Sequence, residues 1–212
     1  MTATAQLINV NAGNLNSIKN AFSLIGVSVR EVCSPNQLNE TDPIILPGVG
    51  AFGAIVERLR KSGLFSRLLE VPAKQQPLLG ICLGMQLLAE SSEESPGVGG
   101  LGIIAGEVRS LPIVKDGSRV PNVGWRILNA TDQAKPSLNS VLENKSYYHM
   151  HTYFFEPANS EVIDATFRFN NASIPVAISA GSVTAVQFHP EKSQEDGLNF
   201  LKNWADSTGA FL

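Results

Sequence analysis

An α/β fold with an open, mostly parallel sheet flanked by helices is predicted for this chain, together with a smaller mixed or antiparallel sheet region in its C-terminal half. Two observations predict it. Through residue 90, short apolar runs alternate with segments of helical periodicity, which is typical of units that pack helices on both faces of a parallel sheet. Beyond Ser91, the apolar runs are short, rich in β-forming residues and separated by turn residues.

The size of the chain favours a single domain. It has 212 residues, of which 43% are hydrophobic, so it can bury a substantial core. This length suits one large domain better than two small ones, and we see neither an internal repeat nor an interdomain linker. We therefore expect one domain over residues 1–212.

The elements follow in order. Ile18, Ala21, Phe22 and Ile25 recur at helical spacing and predict a helix after the first strand, with Gly26 at its end. The N-terminal strands are expected at 7–10, 27–32, 43–46 and 76–79, with helices near 52–59, 64–70 and 85–90. The later strands are expected within 101–111, 123–128, 147–155, 162–169, 175–179 and 183–188. A final amphipathic helix presents Leu198, Leu201, Trp204 and Ala205 on one face.

Charge and cysteine content exclude several classes. The net charge is −3, with 16 basic and 19 acidic residues scattered along the chain, which disfavours nucleic-acid and membrane-surface binding. Two cysteines, Cys33 and Cys82, are too few for a disulfide framework, so a reducing, cytoplasmic setting is expected. The N-terminus lacks a signal-peptide pattern, and no apolar run approaches the roughly 18 residues of a membrane span.

The stretch Gly80-Ile81-Cys82-Leu83-Gly84 lies between an apolar run and a helical segment. Such a strand–turn–helix corner exposes its central side chain above the sheet, and the flanking glycines allow strand and helix to approach closely. A cysteine before a helix N-terminus favours the thiolate, and the N–H of Leu83 is free to donate to a developing oxyanion. A buried structural cysteine explains these five residues equally well.

Two further segments carry chemistry. Pro47-Gly48-Val49-Gly50 follows a buried strand, and its glycines allow the backbone either to present N–H groups to an anion or to change conformation, although an ordinary turn remains an alternative. No Gly-Lys-Ser/Thr follows, which disfavours a phosphate-binding loop. His189 and Glu191 alternate at a strand end, so both are expected to point to one side, where a carboxylate can orient an imidazole base.

The cysteine corner and the His-x-Glu segment together predict a Cys-His-Glu triad of Cys82, His189 and Glu191. Taken alone, His189 and Glu191 are more simply explained as a strand-end histidine and a surface acid. His149 and His151 also alternate on an expected strand, but no Cys, Asp or Glu at ligand spacing joins them in that run. We therefore expect no metal site.

These motifs resemble those of class I (triad) glutamine amidotransferases. The resemblance rests on Pro47-Gly48-Val49-Gly50, on residues 80–86 and on His189-Pro190-Glu191-Lys192-Ser193, and it runs nearly the whole length of the chain. Within this family, the chain is similar to the glutaminase subunits of imidazole glycerol phosphate synthases. The resemblance implies a flavodoxin-like fold and hydrolysis of the glutamine side-chain amide without a cofactor.

The resemblance also implies residue roles. Cys82 would attack the amide carbon, His189 would carry the proton to departing ammonia, and Glu191 would orient His189. The oxyanion would be held by backbone N–H groups, and other positions match those that hold glutamine. The implied oxyanion residues are Val49, Gly50 and Leu83, and the implied glutamine-binding residues are Gly48, Gln86 and Glu94.

The partner implied by the resemblance is a (β/α)₈ cyclase that makes imidazole glycerol phosphate in histidine biosynthesis and forms a heterodimer with the glutaminase. Positions resembling the partner-facing surface are Asn14, Trp125, Tyr148 and Lys192. Family members hydrolyse glutamine slowly until the partner binds its ligand, and the Val49 peptide is a plausible switch.

Some positions depart from the family pattern. The family usually has Ile-Asp-Tyr-Gly where this chain has Ile8-Asn9-Val10-Asn11, and Pro-His-Met-Gly-Trp-Asn where it has Pro121-Asn122-Val123-Gly124-Trp125-Arg126. Several of these lie near the expected partner surface, so they bear on partner identity more than on chemistry. The alternatives are a paralogous subunit that supplies ammonia for modifying a surface sugar, a catalytically idle scaffold, and a cysteine peptidase.

Overall fold

The computed structural model describes residues 4–11, 15–113 and 119–209. In chain order the strands are β1 Thr4–Ile8, β2 Ser28–Val32, β3 Ile44–Leu46, β4 Leu78–Ile81, β5 Ser91–Ser92, β6 Gly106–Ser110, β7 Asn122–Ile127, β8 Asn129–Ala130, β9 Ser146–His151, β10 Tyr153–Pro157, β11 Ile163–Phe169, β12 Ala172–Ala180 and β13 Val183–Val186. The α-helices are α1 Asn16–Leu24, α2 Phe52–Ser62, α3 Leu64–Leu68, α4 Leu83–Gln86, α5 Pro136–Leu142 and α6 Gln194–Ser207. None of the helices in these ranges is long and apolar enough to cross a membrane.

An eight-stranded sheet forms the centre, with strand order β2-β1-β3-β4-β13-β12-β11-β8. The first five strands in this order pair in parallel and the last three pair antiparallel. The 2-1-3-4 order of the parallel strands is that of a flavodoxin-like doubly wound sheet. The predicted α/β fold with a mostly parallel N-terminal half is therefore confirmed.

Two smaller sheets account for the rest of the predicted C-terminal β region. Strands β10, β6 and β5 form one sheet, and β7 and β9 form an antiparallel ribbon. The single strand expected within 147–155 is therefore two strands, because the chain leaves the ribbon at Thr152 and enters the other sheet with β10. No glycine or proline interrupts residues 147–155, so the sequence alone does not reveal this break.

The core is two layers of apolar side chains, one on each face of the central sheet. Leu7 and Ile45 contribute to the layer that contains Phe22 and Trp204, whose rings meet edge to face with centroids 6.0 Å apart. Ile8 and its neighbours contribute to the layer beneath α2 and α3. Because successive strand residues point to opposite faces, near-continuous apolar strands are what a sheet covered on both sides requires.

Candidate active site

Cys82 lies at the corner between β4 and α4, as the sequence predicts. Its backbone adopts φ +55° and ψ −112°, in the left-handed region that residues other than glycine seldom occupy. A backbone hydrogen bond fixes the corner to the adjacent strand: the N–H of Cys82 donates to the carbonyl of Val186 at 2.7 Å. The side chain is 7% exposed and is a free thiol.

Glycines around this corner allow a close backbone approach. A Cβ added to Gly84 would lie 1.8 Å from the carbonyl oxygen of Leu46, and one added to Gly48 would lie 2.5 Å from the Cβ of Leu83. No side chain fits in either place. The segment that follows β3 therefore packs directly on the first turn of α4, which brings Gly48, Val49 and Gly50 to the wall of the cavity that Cys82 also lines.

His189 and Glu191 meet through a turn and not through strand alternation. Strand β13 ends at Val186, and Pro190–Lys192 form a 3₁₀ turn. Within it, Nδ1 of His189 donates to Oε1 of Glu191 at 2.9 Å, and both side chains are almost fully buried. The expectation that a strand places the two side chains on one side was thus wrong in its geometry, because Pro190 ends the extended conformation.

Strand pairing brings His189 to Cys82. Strands β4 and β13 are parallel neighbours with Ile81 opposite Val186, so residues just after both strands emerge at the same sheet edge. Nε2 of His189 is buried and makes no hydrogen bond of normal geometry within the described residues. It is the nitrogen left to exchange a proton with the nearby sulfur.

The environment of His189 favours its protonated form. Burial lowers its pKa, but the side chains of Cys82 and Glu191 outweigh burial and raise the pKa to about 10. An imidazolium is therefore stabilised between the carboxylate and the sulfur. A histidine with this property accepts a thiol proton readily.

A cavity of about 290 Å³ opens above the sulfur. It brings together most of the residues for which the sequence predicts a role: Gly48, Val49, Gly50, Cys82, Leu83, Gln86, Glu94 and His189. The remaining wall comes from Pro121 and residues 150–153. Glu191 lines a second cavity of about 210 Å³, together with Lys192, and the two cavities share Gly48, Val49 and His189. The Val49 segment and His189 therefore separate two spaces.

Gln86 is buried and its amide orientation is set by two acceptors. Nε2 donates to the carbonyl of Tyr153 at 3.0 Å and to Oε1 of Gln187 at 3.0 Å. Both amide hydrogens are thus used, and the oxygen of Gln86 remains as an acceptor. Gln187 in turn donates to the sulfur of Cys82 at 3.7 Å. Gln187 was missed from the sequence, although a polar residue inside a buried strand run is a signal that such a contact exists.

Glu94 lies in the cavity wall, but one of its oxygens has a structural partner. Oε2 accepts from the N–H of Phe52 at 2.8 Å, at the start of α2, and Oγ of the adjacent Ser95 accepts from the N–H of Gly53 at 3.0 Å. These bonds satisfy N–H groups in the first turn of α2, directly after the glycine segment. Glu94 thereby connects the cavity wall to the base of that segment.

The residues expected at a partner surface lie together where the structure describes them. Trp125 and Tyr148 are opposite each other on the β7–β9 ribbon, with ring centroids 6.0 Å apart. Lys192 is exposed, next to Glu191. Asn14 lies outside the described residues. The structure adds exposed apolar neighbours, so the outer side of the ribbon forms an apolar surface, here named the ribbon face: Val123, Trp125, Ile127, Tyr148 and Met150.

The departures from the family pattern fall into two places. Asn9 donates to Glu31 at 2.7 Å and accepts from the N–H of Asn11, after β1. Asn122, however, is fully buried and contacts His151, and Arg126 is half-buried beside it. These two side chains thus lie on the inner side of the ribbon, behind the cavity wall. Among residues 4–11, 15–113 and 119–209, no cluster of three His, Cys, Asp or Glu side chains has an arrangement suited to a metal ion.

Comparison with known proteins gives consistent matches. The family model for glutamine amidotransferase class-I matches residues 6–207. The chain is 40% identical to the imidazole glycerol phosphate synthase subunit HisH of Methanothermobacter thermautotrophicus, over 94% of this chain and 96% of that protein. It is also 40% identical to the subunit HisH of Streptococcus gordonii, over 94% of each chain.

Solved structures share the fold. A crystal structure of a glutamine amidotransferase superposes with a TM-score of 0.74 at 21% identity, covering 96% of this chain and 98% of the other. The structure of PurLQS from Thermotoga maritima also gives a TM-score of 0.74, at 16% identity, covering 98% of this chain and 99% of the other. At such identities the likeness concerns the fold alone.

Proposed function

The chain belongs to the class-I glutamine amidotransferase family, and from that premise we propose that it is the glutaminase subunit of an imidazole glycerol phosphate synthase. In this role it hydrolyses glutamine to glutamate and ammonia, and a cyclase subunit consumes the ammonia. Support for the pathway comes from relatives named as HisH subunits that align over nearly the whole chain. The cytoplasm, where free thiols such as Cys82 stay reduced, is the proposed location.

The proposed reaction begins with transfer of the Cys82 thiol proton to Nε2 of His189. The sulfur attacks the amide carbon of glutamine, and the resulting oxyanion is tetrahedral. The imidazolium then protonates the departing nitrogen, so the carbon–nitrogen bond breaks and ammonia leaves a glutamyl thioester. Water attacks the thioester while His189 accepts its proton, which releases glutamate and regenerates the thiol.

Glu191 has an orienting role in this scheme. By accepting from Nδ1, it fixes the tautomer that leaves Nε2 facing the sulfur, and its charge stabilises the imidazolium. The oxyanion is stabilised by the N–H of Leu83, in the first turn of α4, and by an N–H from the Val49–Gly50 segment packed against that turn. Gly50 adopts φ +109°, a conformation that suits glycine and allows this segment to reorient.

The substrate is proposed to occupy the cavity of about 290 Å³. The free oxygen of Gln86 accepts a hydrogen bond from a glutamine N–H group. Glu94 places negative charge at the far wall, which suits the α-ammonium group of an amino acid. Gly48 packs directly against α4, where any side chain would collide with Leu83, and it contributes to the wall of the substrate cavity.

The cyclase subunit is proposed to dock on the ribbon face and the adjacent Lys192, with Asn14 contributing from the segment after β1. The ribbon face is an exposed apolar surface of the kind that marks a protein–protein contact. The second cavity opens beside Lys192 and shares His189 and Val49 with the first. Ammonia formed at Cys82 is therefore proposed to pass the Val49 segment toward the partner.

The observation that carries this proposal is that His189, which is hydrogen-bonded to the buried Glu191 side chain, lines one cavity with Cys82. The test is glutamate release by the chain alone, with the cyclase from the same source, and with the cyclase plus its nucleotide ligand. We expect a large rise only in the third mixture, and its loss in Cys82→Ser. Cys33→Ser is the matched control, because Cys33 is exposed and outside both cavities.

Labelling separates the chemistry from the pathway. An electrophilic glutamine analogue is expected to modify Cys82 and not Cys33, as read by peptide mass spectrometry. Labelling without stimulation by the cyclase would reject the histidine-pathway partner and favour a subunit that serves a sugar amidotransferase. If Cys82 is unlabelled in the assembled complex, the thiol mechanism itself is wrong.

A further inference from the structure

A continuous chain of partly or fully buried hydrogen bonds runs from the ribbon to the glutamine cavity. It begins at Arg126, whose Nε donates to Oδ1 of Asn122 at 2.8 Å. The amide nitrogen of Asn122 lies 3.0 Å from Nε2 of His151, and Nδ1 of His151 lies 2.9 Å from the carbonyl oxygen of Tyr153. His151 and Tyr153 both line the cavity that contains Cys82.

The donor and acceptor of each hydrogen bond in this chain follow from Arg126, where the chain begins. A guanidinium only donates, so the Asn122 atom beside Arg126 is the amide oxygen, and the atom facing His151 is the amide nitrogen, which also only donates. Nε2 of His151 must therefore be an acceptor without a proton. Its proton is on Nδ1, which donates to the Tyr153 carbonyl. The geometry thus selects one tautomer of a neutral His151.

Two other observations agree with this assignment. Nδ1 of His149 lies 3.2 Å from the same Nε2, so an Nδ1–H of a neutral His149 shares the single lone pair of that nitrogen with the Asn122 amide. Burial is the largest influence on His151 and lowers its pKa to about 4, with a partial offset from the Tyr153 carbonyl and a further lowering from the charges of His189 and Arg126. His151 is therefore uncharged near neutral pH.

The chain continues from Tyr153 to the nucleophile. The Tyr153 carbonyl that accepts from His151 also accepts from Gln86, and Gln86 donates to Gln187, which donates to the sulfur of Cys82. The carbonyl is thus a shared acceptor between the ribbon and the glutamine-binding amide. A change in the position of His151 alters the acceptor that orients Gln86.

We propose that Asn122 and Arg126 are positioning residues for glutamine binding, acting through the Nδ1–H tautomer of His151 on the Tyr153 carbonyl and Gln86. This inference rests on the proposed glutaminase function. It gives two of the departures from the family pattern a joint role: Arg126 orients the amide that replaces the family's histidine at position 122. Asn122 is buried and Arg126 is half-buried on the same side of β7, opposite to the ribbon face, so this role is distinct from partner contact.

The first test reads the tautomer without any activity. Two-bond nitrogen–proton correlation spectra of the ¹⁵N-histidine-labelled chain, assigned with His149→Gln and His151→Gln, distinguish Nδ1–H from Nε2–H. We expect Nδ1–H for His151 in the natural chain. In Asn122→Asp the donor becomes an acceptor, so His151 is expected to carry a proton on Nε2. An Nε2–H signal for His151 in the natural chain would overturn the proposal.

The second test measures binding without a partner protein. The rate of Cys82 labelling by a diazoketone analogue of glutamine is recorded against analogue concentration, which separates the half-saturating concentration from the limiting rate. For Asn122→Asp we expect an increase of about tenfold in half-saturation, the order of one lost hydrogen bond, with the limiting rate within about twofold of the natural chain. Asn122→His, which keeps a ring N–H donor, is expected to restore both tautomer and half-saturation.

The controls keep the outcomes distinct. Asn199→Asp makes the same chemical change on the exposed side of α6 and is expected to leave the half-saturating concentration unchanged.

If Asn122→Asp does not fold, Arg126→Gln is the second variant, because it removes only the orienting guanidinium. It is expected to give a mixture of His151 tautomers and about a threefold increase in the half-saturating concentration. A changed tautomer with unchanged half-saturation would reject the link to Gln86. A natural chain that the analogue never labels would instead reject the glutaminase function, while the tautomer result stands separately.

Discussion

The Cys82 corner and the β7–β9 ribbon line the same cavity, but the first is positioned by backbone packing and the second by side-chain contacts. At the corner, glycines leave no room for a Cβ, and the N–H of Cys82 is bonded to Val186 on the next strand. On the ribbon, an inner row of polar side chains meets the cavity wall while the outer row is the exposed ribbon face.

This difference bears on two of the departures from the family pattern, Asn122 and Arg126. A backbone contact such as that of Gly84 on Leu46 tolerates no larger residue, so the motif around Cys82 has little freedom. A side-chain network requires only that donors and acceptors alternate, and an Asn–Arg pair meets that requirement as well as other pairs do. Asn122 and Arg126 accordingly lie in the ribbon.

The largest effect is expected from removing the charge of Glu191 in the proposed triad. Glu191→Gln keeps the size and an acceptor oxygen but removes the charge that stabilises the His189 imidazolium. We expect kcat for partner-stimulated glutamate release to fall by about 10²- to 10⁴-fold, the range of general acid–base catalysis. Glu195→Gln, an exposed position at the start of α6, is the matched control. A fall of less than tenfold would mean that Glu191 does not act on His189.

The next effect tests the backbone packing of the corner. Gly84→Ala introduces a methyl group where the Leu46 carbonyl oxygen lies 1.8 Å away, so β3 and α4 must separate. We expect a loss of about 3 kcal/mol in the free energy of unfolding, measured by urea denaturation. Gly99→Ala is the control, because its nearest neighbour would be an ordinary 3.7 Å contact. Equal stability of the two variants would show that the corner is not held by this contact.

The part of the site that the sequence predicts is the part whose residues are close together along the chain. The proximity of Cys82, His189 and Glu191 could be predicted because the signals are local: Cys82 has its glycines within two residues, and Glu191 is two residues from His189. Even so, a 3₁₀ turn and not strand alternation makes the His189–Glu191 contact. Local spacing identified the pair, and only the structure identified its cause.

The contacts that sequence reasoning missed join distant parts of the chain. Gln86 and Gln187 are 101 positions apart, and Asn122 and His151 are 29 apart. Glu94 bonds to a helix that starts 42 positions earlier. No periodicity or motif encodes such pairs, because they depend on strand order and on where one sheet ends and the next begins.

The pH dependence of stability should distinguish the corner from the ribbon. His189 has its pKa raised from 6.5 to about 10, so its stabilisation is complete below pH 6.5 and is lost as pH rises through about 10. The ribbon histidines have lowered pKa values, about 4 for His151, because burial disfavours their charged forms. Their protonation in the unfolded chain therefore reduces stability as pH falls below 6.5.

We expect the melting temperature to decline on both sides of a maximum near neutral pH, by several degrees on the alkaline side, as measured by calorimetry. His189→Gln should reduce the decline of the melting temperature on the alkaline side and leave the acid side unchanged. His151→Gln should reduce the decline on the acid side and leave the alkaline side unchanged. A His189→Gln variant that keeps the full alkaline decline would show that other groups produce it.

The smallest effect is expected at the ribbon face, where single contacts are tested one at a time. Ile127 is 64% exposed on β7, beside the Trp125–Tyr148 pair, and we propose that the partner covers it. Ile127→Ser should weaken the complex with the cyclase by about tenfold, as expected for loss of one buried aliphatic contact. Calorimetric titration measures the affinity of the complex, and labelling of Cys82 in the free chain should be unaffected.

Ile113→Ser is the control. It removes an isoleucine that is 80% exposed and outside the ribbon face, so it should leave the affinity unchanged. Equal weakening by both substitutions would place the partner elsewhere, and the ribbon would then serve the cavity alone.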